Sequence, residues 1–253
     1  SPDTRRWFWS QGDSSLPGGR DYRGIAHCQG KTYVVGDSGV VVRTADGLHW
    51  EASFVGEPAR LASIACSGSE MVAVGDSAVF RSVDGTTWER MPFGRASQWR
   101  EVVFAPRGYV AVSDSGSLGF SPDGRTWVEK VEPSFLFDRL VVHDSEVVAL
   151  GRRRMDSAMM QYLVSTAVAR STDGGATWLT DTSWTVPRGL GQLVGLHHDG
   201  KRWYGVTSDG IIVSSIDAIR WTDDTLRVPQ PVLVVGGSTL AYHDGIWMSV
   251  GKW

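Results

Sequence analysis

Four arginines stand at corresponding places along the chain: Arg23 in "DYRGIAH", Arg60 in "EPARLAS", Arg100 in "SQWREVV" and Arg139 in "LFDRLVV". Arg188 lies further upstream in another such stretch. A guanidinium is a planar, permanently charged fork that matches the oxygens of carboxylate, sulfate or phosphate. Several of them at one mouth would grip such a group or an acidic protein patch. The competing arrangement is internal pairing with the acids of "GDSG", "GDSA", "SDSG" and "TSDG", namely Asp37, Asp76, Asp114 and Asp209. The same stretches carry Trp99 and Trp184 with Phe54, Phe93, Phe135 and Phe137. Aromatics beside arginine make an interface or a sugar-stacking surface, or they pack between structural units. The segment "GRRRMDSAMMQYLVST" at 151–166 mixes Arg152, Arg153 and Arg154 with Met155 and Tyr162, and reads as a partner-contact loop.

Other candidate chemistry is sparse. Cys28 and Cys66 permit one disulfide. They fall at repeat-equivalent positions with Ala105, His143, His198 and His243, but the histidine stretches also read as ordinary turns, and no metal is assigned. No G-x-S-x-G, H-E-x-x-H or glycine-rich phosphate loop occurs, and no catalytic residue or cofactor is assigned.

The elements that must position these residues come from a repeat. Ser/Thr-x-Asp followed by Trp recurs at 1–7, 44–50, 82–88, 121–127, 171–178 and 215–221, on Asp3, Asp46, Asp84, Asp123, Asp173 and Asp217. The successive spacings are 43, 38, 39, 50 and 44 residues, and the step from Asp217 through the C-terminus back to Asp3 is 39. The last step fits only if the chain closes into a ring. Each repeat holds four short β-rich runs, as in "RLASIAC", "MVAVGD", "AVFRS" and "TTWERM". The expectation is an all-β, single-domain, six-bladed β-propeller over 1–253, with four-stranded antiparallel blades. Its N-terminal residues would complete the C-terminal blade and remove an open sheet edge. The Asp-bearing boxes then sit on hairpins as structural devices, and the arginines and the 151–166 segment occupy the opposite face.

Bulk properties narrow the function. A net charge of −3 over 253 residues argues against a general nucleic-acid or membrane-surface binder. No apolar run reaches the length of a transmembrane helix. The 21 arginines against four lysines favour planar anion recognition or reflect a GC-rich source.

The recurring motif resembles the Asp box, or bacterial neuraminidase repeat. "STDGGATW" has the standard length of that box, whereas "SSIDAIRW" has lost its glycine. Two Asp-box families frame the function. Sialidases add an arginine triad, a Tyr–Glu pair and an acid Asp. Their N-terminal Phe/Tyr-Arg-Ile-Pro motif is absent here, and no Tyr/Glu pair can be matched. The photosystem II stability and assembly factors and their bacterial relatives carry repeats similar to "WSQGDSSLPGGRDYRGIAHCQGKTYVVGDSGVVVRTADGLHW" and "MVAVGDSAVFRSVDGTTW". That resemblance covers most of the chain. It implies a non-catalytic, extracytoplasmic (secreted, periplasmic or lumenal) binding or assembly scaffold, expected to act as a monomer. Its partner would be a protein or an anionic or glycan ligand, taken by the arginine- and aromatic-rich face. The photosynthetic members have seven blades, so a photosystem partner does not carry over. The alternative is a glycan-active protein, lectin or sialidase-like hydrolase, using the same face.

Overall fold

β-Branched and aromatic residues concentrate in short runs cut by glycine, aspartate and serine, and those runs are the strands. A computed structural model of the chain describes residues 16–76, 78–93, 98–154, 166–181, 193–208, 211–222, 237–243 and 246–251. The box at 1–7 with Asp3, together with Arg188, Trp184, Met155, Tyr162 and Asp209, lies outside the described residues.

The first sheet is β1 (Tyr22–Cys28), β2 (Lys31–Gly36), β3 (Val40–Thr44) and β4 (Glu51–Phe54). The second is β5 (Leu61–Cys66), β6 (Met71–Gly75), β7 (Ala78–Ser82) and β8 (Glu89–Met91). The third is β9 (Trp99–Ala105), β10 (Gly108–Ser113), β11 (Ser117–Ser121) and β12 (Val128–Val131). The fourth is β13 (Phe135–His143), β14 (Glu146–Arg153), β15 (Thr166–Ser171) and β16 (Leu179–Asp181). Three described strands follow in the fifth sheet, β17 (Leu193–His198), β18 (Trp203–Thr207) and β19 (Ile212–Ser215), where Thr222 bridges to Ser214. β20 (Gly237–His243) and β21 (Ile246–Gly251) pair in a sixth. Every pairing is antiparallel between chain neighbours, as in a propeller meander. No helix of the described residues is long and apolar enough to cross a membrane.

The core is divided among the seams between consecutive sheets. Tyr33, Val35 and Val41 of the first sheet pack with Leu61, Ala73 and Phe80 of the second. Val72, Val74 and Met91 pack with Trp99, Val102 and Tyr109. Val110 and Val112 pack with Phe137, Val147 and Ala169, and Val148 and Leu150 with Trp203 and Val213. A repeat therefore has little core of its own and depends on its neighbours.

The Ser/Thr-x-Asp motifs close the third hairpin strand against these seams. Ser82 Oγ accepts the Gly85 amide at 2.8 Å, and Asp84 Oδ1 accepts the amides of Thr86 and Thr87 at 2.7 Å each. Asp46, Asp123, Asp173 and Asp217 take turn amides in the same way. The tryptophan then enters the seam: Trp178 and Trp221 are buried, and their Nε1 atoms donate to Gly175 O and Ala218 O. A Cβ on Gly85 would come within 2.3 Å of the Tyr33 ring, so the turn packs directly on the preceding sheet. Ala218, in the motif without glycine, adopts the same left-handed turn at φ 58° and is fully buried.

The first strands lie side by side, β1 by β5, β5 by β9 and β9 by β13. Polar links fasten them. Cys28 and Cys66 form a disulfide across 5.8 Å between Cα atoms, joining the first and second sheets; closing a loop of this size stabilises by about 3–4 kcal/mol. Ser63 Oγ donates to Val102 O and accepts the Val102 amide. The Glu101 carboxylate accepts the Leu140 amide, joining β9 to β13. Burial pushes the Glu101 carboxyl up to about 7, against the pull of the nearby Arg139 guanidinium and the Leu140 amide.

Two outcomes are expected. The amides of Thr87 and Thr86 hold Asp84 below the usual carboxylate range, so its contribution is present above about pH 4 and is lost as pH falls further. Asp84→Ala should cost about 1 kcal/mol at pH 7, roughly 2–4 °C in a thermal melt, and the deficit should shrink at pH 2–3. Glu101 has the opposite sign: protonated, it is at home in the seam, and stability is lost as pH rises through about 7. Melts of Glu101→Gln, which keeps an acceptor for Leu140, should show a gain over the parent at pH 8 and none at pH 5.

Candidate functional site

Each first strand begins with a β-bulge. The register slips between Tyr22 and Gly24, Leu61 and Ser63, and Phe137 and Arg139. In the third sheet Val112 pairs Glu101 while Ser113 pairs Trp99, which skips Arg100. The residues left over are Arg23, Ala62, Arg100 and Asp138. A bulge re-aims one side chain at the end of a sheet, and here it aims toward the mouth between the sheets. The bulge also sets the residue opposite: a Cβ on Gly36, Gly75 or Gly151 would stand 2.2, 2.0 or 2.0 Å from the carbonyl oxygen of Asp21, Arg60 or Leu136. At these three positions only glycine fits without a shift, whereas the third and fifth sheets carry Ser113 and Thr207 at the equivalent place. Just beyond it, the amides of Asp37, Asp76 and Asp114 donate to the carbonyls of Asp21, Arg60 and Gln98 at 3.0–3.1 Å.

These strand ends enclose a cavity of about 570 Å³ lined by Arg23, Arg60, Arg100, Arg139 and Arg152, with Asp76, Asp114 and Asp138. Four of the arginines are those singled out by sequence, and the structure brings them together. Their register is not uniform, however. Arg23 and Arg100 are bulge residues, Arg60 precedes its strand, and Arg139 lies one place past the bulge occupied by Asp138.

Register decides pairing. Arg23 holds Asp37 at 3.1 Å and Asp21 at 2.9 Å, and Arg100 holds Asp114 and Gln98 at 2.8 Å each. Asp37 is lowered by the Arg23 hydrogen bond. These two arginines are committed to the scaffold. Arg60 bypasses Asp76 of its own sheet and reaches Asp37 of the first at 3.7 Å. Among the described residues, Arg139 and Arg152 have no carboxylate within 4.0 Å. Asp138 is pushed up by burial while the charges of Arg139, Arg152 and Arg100 pull it down. The lining carries five guanidiniums against three carboxylates.

Several expected residues take different places. Trp99 is 1% exposed and its ring stacks on Phe93 at 4.6 Å, so it is a seam residue touching the cavity wall and presents no open stacking face. Phe135 and Phe137 are likewise buried, whereas Phe54 is exposed beneath the Arg20 guanidinium. Gly151, Arg152 and Arg153 continue β14 and pair with Phe137, Leu136 and Phe135, so the 151–166 segment starts as strand. Arg152 thereby joins the cavity; Arg153 and Arg154 are exposed beside it. At the far ends of the strands, His143 and His198 stack at 3.6 Å. Among the described residues no three His, Cys, Asp or Glu side chains gather as metal ligands. The sequence reading missed Asp138 as a lining residue and Arg152 as part of this cluster. "ALGRR" against "AVGDS" held the signal, since arginine there replaces the turn aspartate.

No protein-family model and no curated protein matches the chain. Solved structures do. YCF48 from Cyanidioschyzon merolae superposes with a TM-score of 0.60 at 16% identity, over 83% of this chain and 72% of that one. YCF48 bound to D1 peptide gives 0.55 at 22% identity, over 80% and 65%. The GH74 xyloglucanase from Xanthomonas campestris gives 0.57 at 17%, over 85% of this chain but only 39% of its own length. This chain thus spans less than two thirds of the peptide-bound YCF48 and of the xyloglucanase. Identities this low establish the fold: the chain is a β-propeller, similar to the assembly-factor propellers that its repeats resemble.

Proposed function

We propose that the chain is a non-catalytic binding module that takes an acidic segment of a protein partner at the arginine-lined cavity. The observation that carries this reading is the presence of Arg139 and Arg152 in that cavity with no carboxylate within 4.0 Å among the described residues. Their counterparts Arg23 and Arg100 are consumed by internal pairs. A guanidinium with no carboxylate in ion-pair range in a concave site is suited to a carboxylate from outside. Protein binding also fits a solved neighbour of the same fold, which is bound to a peptide.

We further propose that one domain of six blades forms the ring, with residues 1–7 completing the last blade. Six successive sheets and six motifs support it. The Cys28–Cys66 disulfide favours an extracytoplasmic location, where such bonds persist.

The cavity reading is tested by titrating the full chain with an array of acidic peptides and a panel of sialosides. Arg139→Ala with Arg152→Ala should weaken peptide binding about tenfold or more and steepen no thermal loss beyond roughly 2 °C. Arg23→Ala, which removes the partner of Asp21 and leaves Asp37 only the more distant Arg60, should instead lower the melting temperature. Unchanged affinity in the double variant overturns the assignment, and binding of sialosides alone transfers the site to the glycan reading. For the ring, deleting residues 1–9 should lower the melting temperature by roughly 10 °C, equivalent to a few kcal/mol in a chain of this size; an unaltered melt would reject the closure.

A further inference from the structure

The bulge and the turn opposite it form a two-residue unit that repeats in the first four sheets. In the first and third sheets it is complete: arginine on the bulge, aspartate on the turn, and an ion pair between them at 3.1 Å (Arg23–Asp37) and 2.8 Å (Arg100–Asp114). Each of those arginines also has a second acceptor on the residue that lends its carbonyl to the turn, Asp21 or Gln98.

The second and fourth sheets break the unit in opposite senses. In the second, the bulge holds Ala62, and the exposed Asp76 carboxylate has no cation within 4.0 Å among the described residues. The sheet's own arginine, Arg60, is turned toward Asp37 of the first sheet. In the fourth, the charges are exchanged, with Asp138 on the bulge and Arg152 on the turn, and Arg139 follows the bulge. The same cavity therefore presents an aspartate whose arginine is missing and, beside Asp138, two arginines with no carboxylate within 4.0 Å among the described residues. An Arg–Asp pair is the arrangement this backbone geometry accommodates twice over, so the second sheet's half-unit is shaped for the cation it lacks, and the exchanged unit of the fourth leaves its guanidiniums outside ion-pair range of a carboxylate.

We propose that the cavity is bipolar and selects a mixed-charge peptide segment, whose acidic side chain meets Arg139 and Arg152 while a neighbouring lysine or arginine meets Asp76. This deepens the reading above and rests on it. The field of Arg60, Arg139 and Arg152 would by itself accept any polyanion. Asp76 makes the site discriminate, because a purely acidic ligand leaves one carboxylate facing another, whereas a mixed-charge ligand completes a pair.

The test compares two sets of Gly/Ser-based hexapeptides, titrated into the full chain by calorimetry. One set carries two glutamates, the other two glutamates and one lysine at each separation from them. At least one mixed-charge peptide should bind about fivefold more tightly than the acidic set, the value of roughly one partly exposed ion pair. Asp76→Asn should erase that preference while leaving acidic-peptide affinity equal or higher. Ala62→Arg should do the same from the other side, by restoring the unit of the first and third sheets so that Asp76 is paired internally. Both variants change exposed or half-buried cavity positions, and their melts serve as the check on folding. A preference that persists in both variants, or that is absent from the parent, overturns the bipolar site while leaving the arginine site standing. Failure of both peptide sets to bind the parent overturns the arginine site and this inference with it.

Discussion

One backbone constraint underlies the rest of the structure: the extra residue at the start of each first strand. In three of the sheets a carbonyl beside the bulge stands so close to the opposite strand that Gly36, Gly75 and Gly151 cannot carry a Cβ without displacing it. It also turns one side chain out of the alternation toward the mouth. The cavity is built by that displacement. A regular ladder would alternate residues between the two seams that flank a sheet, and no common set of side chains would converge between the sheets.

Around this constraint the fold has no single core. Each seam is filled from two sheets, and the turn of each Ser/Thr-x-Asp motif rests on the sheet before it, as Gly85 rests on Tyr33. Polar links between first strands add the disulfide, the Ser63–Val102 exchange and the Glu101–Leu140 bond. Rigidity of this kind suits recognition. The cavity walls are the ends of strands that pair with their neighbours in each sheet.

The two complete Arg–Asp units and the two altered ones show how a repeat protein can vary one position on a constant backbone. Identical backbone is reused while a single side chain is changed. Ala62 for arginine leaves a carboxylate uncommitted; Arg152 for aspartate leaves a guanidinium uncommitted. The units that remain paired hold their charges within the scaffold, and the altered ones leave charges facing the cavity.

The sequence alone settled the strand content, the repeat and the hairpin role of Asp46, Asp84, Asp123, Asp173 and Asp217, because each follows from local turn chemistry and spacing; for Cys28 and Cys66 it permitted a disulfide, and the packing of the first two sheets decided it. It also identified the four arginines that meet. It could not say which of them are free. Arg23, Arg60, Arg100 and Arg139 look alike when aligned by eye, yet register differences of one or two residues send two into ion pairs within their own sheet, one toward a neighbouring sheet and one into the cavity beside Asp138. Trp99 was equally ambiguous, since the same aromatic can lie on a surface or fill a seam, and only the packing of Phe93 against it decides. Composition and periodicity are properties of one strand at a time. Pairing and burial depend on the strand opposite and the sheet next door, and those are fixed only when the sheets have come together.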